Sequence, residues 1–123
     1  MCRYQEETGL EEHVYRYMLE LGIPIQQDGC QIMKTAILHT IYNMMMAANI
    51  TKLLYPTLSK EYGISIKRVE RSLRSVVEVS WKYGDCVRMK EIFGYTSEDG
   101  AGRPTNSEYI AGVADAIRQR SLL

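Results

Sequence analysis

Apolar residues recur along this chain at three- and four-residue spacing and nowhere alternate convincingly with period two, which predicts helices and no sheet. Leu10, Val14, Tyr17, Met18 and Leu21 form the first stripe, opened by a capping box at Thr8-Gly9-Leu10-Glu11 and stopped by Gly22 and Pro24. Asp28 can cap a second helix, with Gln31 at its third position and Ile32, Ala36, Ile37, Ile41, Met44, Met45 and Ala48 as its buried stripe. Pro56 suits the first position of a short helix reaching Tyr62, and Gly63 supplies the positive φ of a sharp turn. Ser59, one turn before Gly63, is small enough to let the next helix approach closely. Ser65 caps that helix, along which Ile66, Val69, Leu73, Val76, Val77 and Trp81 face inward. Gly84 ends it, and Asp85 caps a short helix through about Phe93 that carries Val87, Met89 and Ile92. Gly94 to Arg103 reads as a loop. Thr105-Asn106-Ser107-Glu108 is a second capping box, opening a last helix with Tyr109, Ile110, Val113, Ala114 and Ile117 inside. The expectation is an all-α, winged-helix-like fold of about six helices, one domain over residues 1–123, without internal repeats or low-complexity tracts.

The stretch from Tyr55 to Trp81 adds chemistry to this pattern. Opposite the apolar face, the helix from about Ser65 to Tyr83 carries Lys67, Arg68, Glu70, Arg71, Arg74, Ser75 and Glu78. A helix, a glycine turn and an arginine-rich second helix form the pattern of a DNA-reading helix-turn-helix. An ordinary solvated helix would present the same face, with Glu70 and Arg74 as an i, i+4 pair contributing about 0.2–0.5 kcal/mol. Charge distribution favours the first reading. The chain is neutral, with 15 Lys and Arg against 15 Asp and Glu, which excludes a diffuse basic surface. Residues 51–82 nevertheless hold seven basic side chains against three acidic, and residues 1–30 hold two against six. A local positive field on a neutral protein suits a specific DNA binder rather than a sticky one.

Other chemistry is sparse. Cys2, Cys30 and Cys86 are odd in number and widely spaced, which argues against a disulfide framework and fits a reducing cytoplasm. Cys30 and His39 could belong to a metal site only with a third, distant group, so no cofactor or metal is expected. His13 and His39 have no evident catalytic partner and read as surface or core-edge residues. Met44-Met45-Met46 could be a plastic interaction surface, although helix core is the plainer reading. Neither a signal peptide nor a membrane span is present, and a cytoplasmic location is expected. With no P-loop, dinucleotide fingerprint or nucleophile elbow, the chain does not read as an enzyme. The glycine-rich loop could act as a flexible wing that brings Arg103 and the N–H groups of the last helix to a DNA phosphate, or could be a solvated loop touching nothing.

Four strings carry a family resemblance: ITKLLYP (50–56), RVERSLRSVVEVSW (68–81), IFGYT (92–96) and RPTNSEYIAGVAD (103–115). They closely resemble the C-terminal effector domain of the master sporulation response regulator of endospore-forming Firmicutes, over about Leu10 to Arg120. The resemblance implies a helical transcription factor domain that binds short DNA boxes with a TGTCGAA-like core, often as tandem head-to-tail copies, and contacts RNA polymerase through a sigma factor. It places Glu70, Arg71 and Arg74 at base edges, with Lys67 and Arg68 near the DNA backbone, and Ser65, Ser75 and Arg103 are expected as further backbone contacts. Arginine forks fit guanine O6 and N7, and glutamate can accept from cytosine N4, as a CG-containing core requires. Arg88, Lys90 and Phe93 fall in the polymerase-facing region, although Arg88 and Lys90 stand where well-known members carry small polar residues. The phosphoacceptor receiver domain of the family's regulator has no room before Leu10, so the chain is expected to be a fragment or a free-standing effector domain. A DNA partner, with pairing of copies on tandem boxes, is thus expected. The alternative is a helical protein-interaction module that does not bind DNA and titrates the full-length regulator or RNA polymerase.

Overall fold

The computed structural model describes residues 2–24, 29–96, 99–100 and 102–121, and of residues 2–8 and 121 the backbone alone. Among these residues the fold is all-α: α1 (Cys2–Glu20), α2 (Gly29–Tyr42), α3 (Met45–Ala48), a π-helical turn (Ile50–Leu54), α4 (Tyr55–Tyr62), α5 (Ile66–Tyr83), α6 (Cys86–Phe93) and α7 (Asn106–Ser121). The loop from Gly94 to Arg103, expected as a flexible wing or as a solvated loop, forms no strand among its described residues. None of the described helices is long and apolar enough to cross a membrane.

The apolar stripes converge on one core. Val14, Tyr17, Met18 and Leu21 of the first stripe are buried, as are Ile32, Ala36 and Ile37 of the second and all five inward residues expected on α7. From α5, Val69, Leu73, Val76, Val77 and Trp81 join them. Helix α2 is the hub, packing against α7 and α5 and more lightly against α1, α3 and α4. An aromatic cluster closes the lower end of α5. Trp81 meets Phe93 and Tyr95 edge-on, at ring centroid distances of 6.2 and 5.3 Å, and Phe93 stacks on Tyr109 at 5.3 Å. The end of α1 crosses the α5–α6 corner so closely that a Cβ on Gly22 would lie 2.8 Å from the Gly84 nitrogen. Asp85 N–H donates to the Glu20 carbonyl at that crossing, 3.0 Å away.

Local chemistry explains where the helices depart from the sequence reading. Helix α1 begins at Cys2 and runs through the Thr8–Glu11 segment, so that capping-box pattern is not a helix start. Gln5, Glu6 and Glu7 are strong helix formers, and the cost of Gly9 inside a helix, about 1 kcal/mol, does not stop propagation. The second helix does not reach Ala48. It ends at Tyr42 because the Asn43 side chain accepts the Met45 amide at 3.1 Å, offering the backbone an alternative to the helical bond. Met45 and Ala48 consequently face solvent, while Met44 and Met46 are half-buried. The cap assigned to Asp28 lies outside the described residues, and Gln31 is exposed. Ile66 and Val87, expected inside, are 44% and 69% exposed, because each sits in the first turn of its helix beyond the reach of the neighbouring element.

Candidate nucleic-acid interface

The segment from Tyr55 to Tyr83 is shaped by its own sequence. Pro56 lies in the first turn of α4, directly after the π-helical turn, where its ring holds φ in the helical range. Gly63 then takes φ 64°, a left-handed conformation costly for any residue with a Cβ. Ser59 does more than leave room for the next helix: its hydroxyl donates to the Ile64 carbonyl at 2.5 Å and clamps the turn. Ser65 caps α5, its Oγ accepting the Arg68 amide at 3.1 Å. Two contacts fasten α4 to the hub helix α2. His39 Nε2 meets Glu61 Oε1 at 2.6 Å. Tyr62 OH donates to the Gln31 carbonyl at 3.1 Å and lies 2.6 Å from Thr35 Oγ1.

The outer surface of α5 is polar and rich in basic side chains. Lys67, Arg68, Arg71 and Arg74 are exposed along it, Ser65 stands at its N-terminus, and Glu70 and Ser75 are half-buried. Glu70 and Arg74 form the expected i, i+4 ion pair. Arg103 reaches the same helix from the loop and pairs with Glu78 at 3.0 Å. Such exposed pairs contribute little stability, about 0–1 kcal/mol, so both arginines can exchange their carboxylate for a nucleic-acid partner at small cost. Between α5 and the start of α7 lies an open cleft of about 580 Å³, whose lining includes Tyr55, Glu70, Arg74, Arg103 and Asn106.

The three residues placed toward polymerase do not lie together on one open face. Arg88 is held by Glu20 at 2.5 Å and by Glu91 at 2.9 Å, and its guanidinium lies over the Tyr17 ring. The hydrogen bond that Arg88 donates to Glu20 raises its already high pKa. Phe93 is half-buried in the aromatic cluster, whereas Lys90 is exposed. His39, read from sequence as a surface or core-edge residue, is tied to Glu61, and no group of three metal-ligating side chains comes together among the described residues.

The start of α7 contributes more than sequence patterning suggested. The capping box forms reciprocally: Thr105 Oγ1 accepts the Glu108 amide and Glu108 Oε1 accepts the Thr105 amide, both at 3.1 Å. Asn106, between them, donates from Nδ2 to Tyr55 OH at 3.0 Å and to the Glu70 carbonyl at 3.2 Å. Ser107 donates to the Ala47 carbonyl at 2.7 Å. In the sequence Asn106 and Ser107 are only the middle of a capping box, and nothing local announces partners this distant. A family model described as the sporulation initiation factor Spo0A C terminal matches residues 14–117 of the chain.

Proposed function

The chain belongs to the family of the sporulation initiation factor Spo0A C-terminal domain, a DNA-binding effector domain of the sporulation-initiation type, and we propose that it reads its DNA box through α5. In this reading α4, the Gly63 turn and α5 act as a helix-turn-helix. Glu70, Arg71 and Arg74 face base edges in the major groove, and Ser65, Lys67, Arg68, Ser75 and Arg103 face phosphates. The box is a short TGTCGAA-like sequence, in which arginine forks meet guanine and a carboxylate meets the cytosine amino group. The observation that carries the reading is the row of exposed Lys67, Arg68, Arg71 and Arg74 on a single capped helix whose other face is core. The domain works by binding, without catalysis, and in the cytoplasm.

Two partners follow from the same reading. Tandem boxes would hold two copies head to tail, and the α6 region containing Arg88, Lys90 and Phe93 would face the sigma factor of RNA polymerase. Because Arg88 and Phe93 are engaged internally, Lys90 is the one of these three side chains that faces outward. In-vitro transcription checks this: if Lys90→Ala left activation untouched, α6 would not be the contact.

A gel shift with a duplex carrying the core box and a scrambled duplex, each at two salt concentrations, tests the main reading. The box should bind tightly and beat the scrambled duplex at both salts, with affinity for each falling as salt rises. Equal, weak binding to both duplexes would favour the helical protein-interaction module instead.

A further inference from the structure

We propose that Asn106 is a positioning residue for the recognition helix: it sets the angle at which α5 meets DNA, and so governs discrimination between sequences, without touching DNA itself. The inference rests on the reading of α5 as the DNA-reading helix.

The geometry is specific. The Glu70 carbonyl can only accept, so the atom of Asn106 that faces it must be the amide nitrogen, and the same nitrogen also reaches Tyr55 OH. One half-buried side chain therefore links the first residue of α4, the first residue of α7 and the second turn of α5. The bond falls on Glu70, a residue assigned to a base edge, in the helical turn that also holds Arg71 and Arg74. The surroundings make Asn106 a fixed point. The reciprocal bonds of Thr105 and Glu108 fasten the backbone on either side of it, Pro104 is buried just before it, and Ser107 is tied to Ala47. The other polar links from this side, Tyr109 to Ser80 and Arg103 to Glu78, fall farther along α5, so in the turn around Glu70 the directional bond is the one from Asn106. A base contact must be met within a fraction of an ångström, so a small tilt of α5 costs discrimination before it costs general affinity.

Asn106→Asp isolates the link. A carboxylate in the first turn of α7 suits the helix dipole, so the start of that helix is retained. Toward α5, however, the donor becomes an acceptor facing the Glu70 carbonyl. Asn106→Ala and Tyr55→Phe remove bonds without adding repulsion or charge, and they decide the matter should the aspartate variant not fold. The readout is the ratio of affinities for the box and for a scrambled duplex, in which the long-range effect of an added charge cancels, measured beside the melting temperature. The ratio should fall about ten-fold or more in Asn106→Asp and Asn106→Ala, the size expected when a base contact is lost, and less in Tyr55→Phe, with scrambled-duplex binding by the uncharged variants near the parent's. A merely structural role would lower the melting temperature and leave the ratio at the parent value, which overturns the inference while leaving the function intact. A parent chain with no preference for the box overturns both.

Discussion

At the residue scale, the features visible in the sequence are those whose partners are close along the chain. Ser65 capping α5, Asp85 capping α6 and the Thr105–Glu108 box all join residues two or three positions apart, and all form. The contacts that fasten the candidate site are remote: His39 and Glu61 are 22 positions apart, Asn106 and Tyr55 are 51 apart. No spacing rule reaches that far. Tyr109 illustrates another remote pair. Its ring is buried and its hydroxyl lies 2.5 Å from Ser80 Oγ. Ser80 gives its single proton to the Leu21 carbonyl at 2.6 Å, so Tyr109 must donate to Ser80. Burial pushes the Tyr109 pKa well above the ordinary tyrosine value, because the surrounding core disfavours the charged phenolate. The folded state thus holds this proton more tightly than the unfolded state. Its contribution to stability is complete below the unfolded pKa of about 10 and is lost as pH rises above it. Urea titrations of Tyr109→Phe and the parent should therefore differ by about 0.5–1.5 kcal/mol at neutral pH, from the lost bond, and the difference should shrink at pH values above about 10. A difference that stays constant through alkaline pH would refute the buried, neutral phenol.

At the element scale, periodicity identified the stripes of α1, α2, α5 and α7 that enter the core, because burying an apolar face is what stabilises each helix, but it assigned none to the short α4, whose Tyr55 and Leu58 are buried. Boundaries were less legible, for reasons visible in particular residues. The side chain of Asn43 breaks α2 through a bond that propensity does not encode, and Ile66 and Val87 are apolar but lie in first turns that nothing covers. The turn between α4 and α5 was legible because only one chemistry fits it. At Gly63 a Cβ would meet no atom within 4 Å, so the requirement is conformational rather than steric. Gly63→Val should cost about 1–2 kcal/mol through the left-handed backbone alone, and Gly63→Asn less, since asparagine tolerates that region. Thermal unfolding measures both. Equal stability of the valine variant and the parent would mean that the turn relaxes, and that the α4–α5 angle is not fixed there.

At the scale of the whole molecule, α2 and α7 form the frame on which α4 and α5 are mounted, and the polar face of α5 is what the frame presents outward. Neutral net charge with a concentrated basic face limits non-specific attraction while leaving local attraction strong. No sustained heptad seam supplies a dimer interface, so the chain is expected to be a monomer or weak dimer in solution and to pair only where tandem boxes raise its effective concentration. Sedimentation without DNA and two-box binding with about half a helical turn inserted check this together; a tight dimer at micromolar concentration, or indifference to the insertion, would contradict it. The central claim is that α5 reads bases through Arg71 and Arg74. Its most direct test is the affinity of the parent, Arg71→Ala and Arg74→Ala for the core box and for duplexes in which each C·G pair of the core is replaced. Each variant should lose about 1–3 kcal/mol on the intact box and become indifferent to replacement at one base pair that the parent distinguishes. Variants that bind the intact box as tightly as the parent, or that weaken equally on every duplex and keep the parent's full base preference, would contradict it.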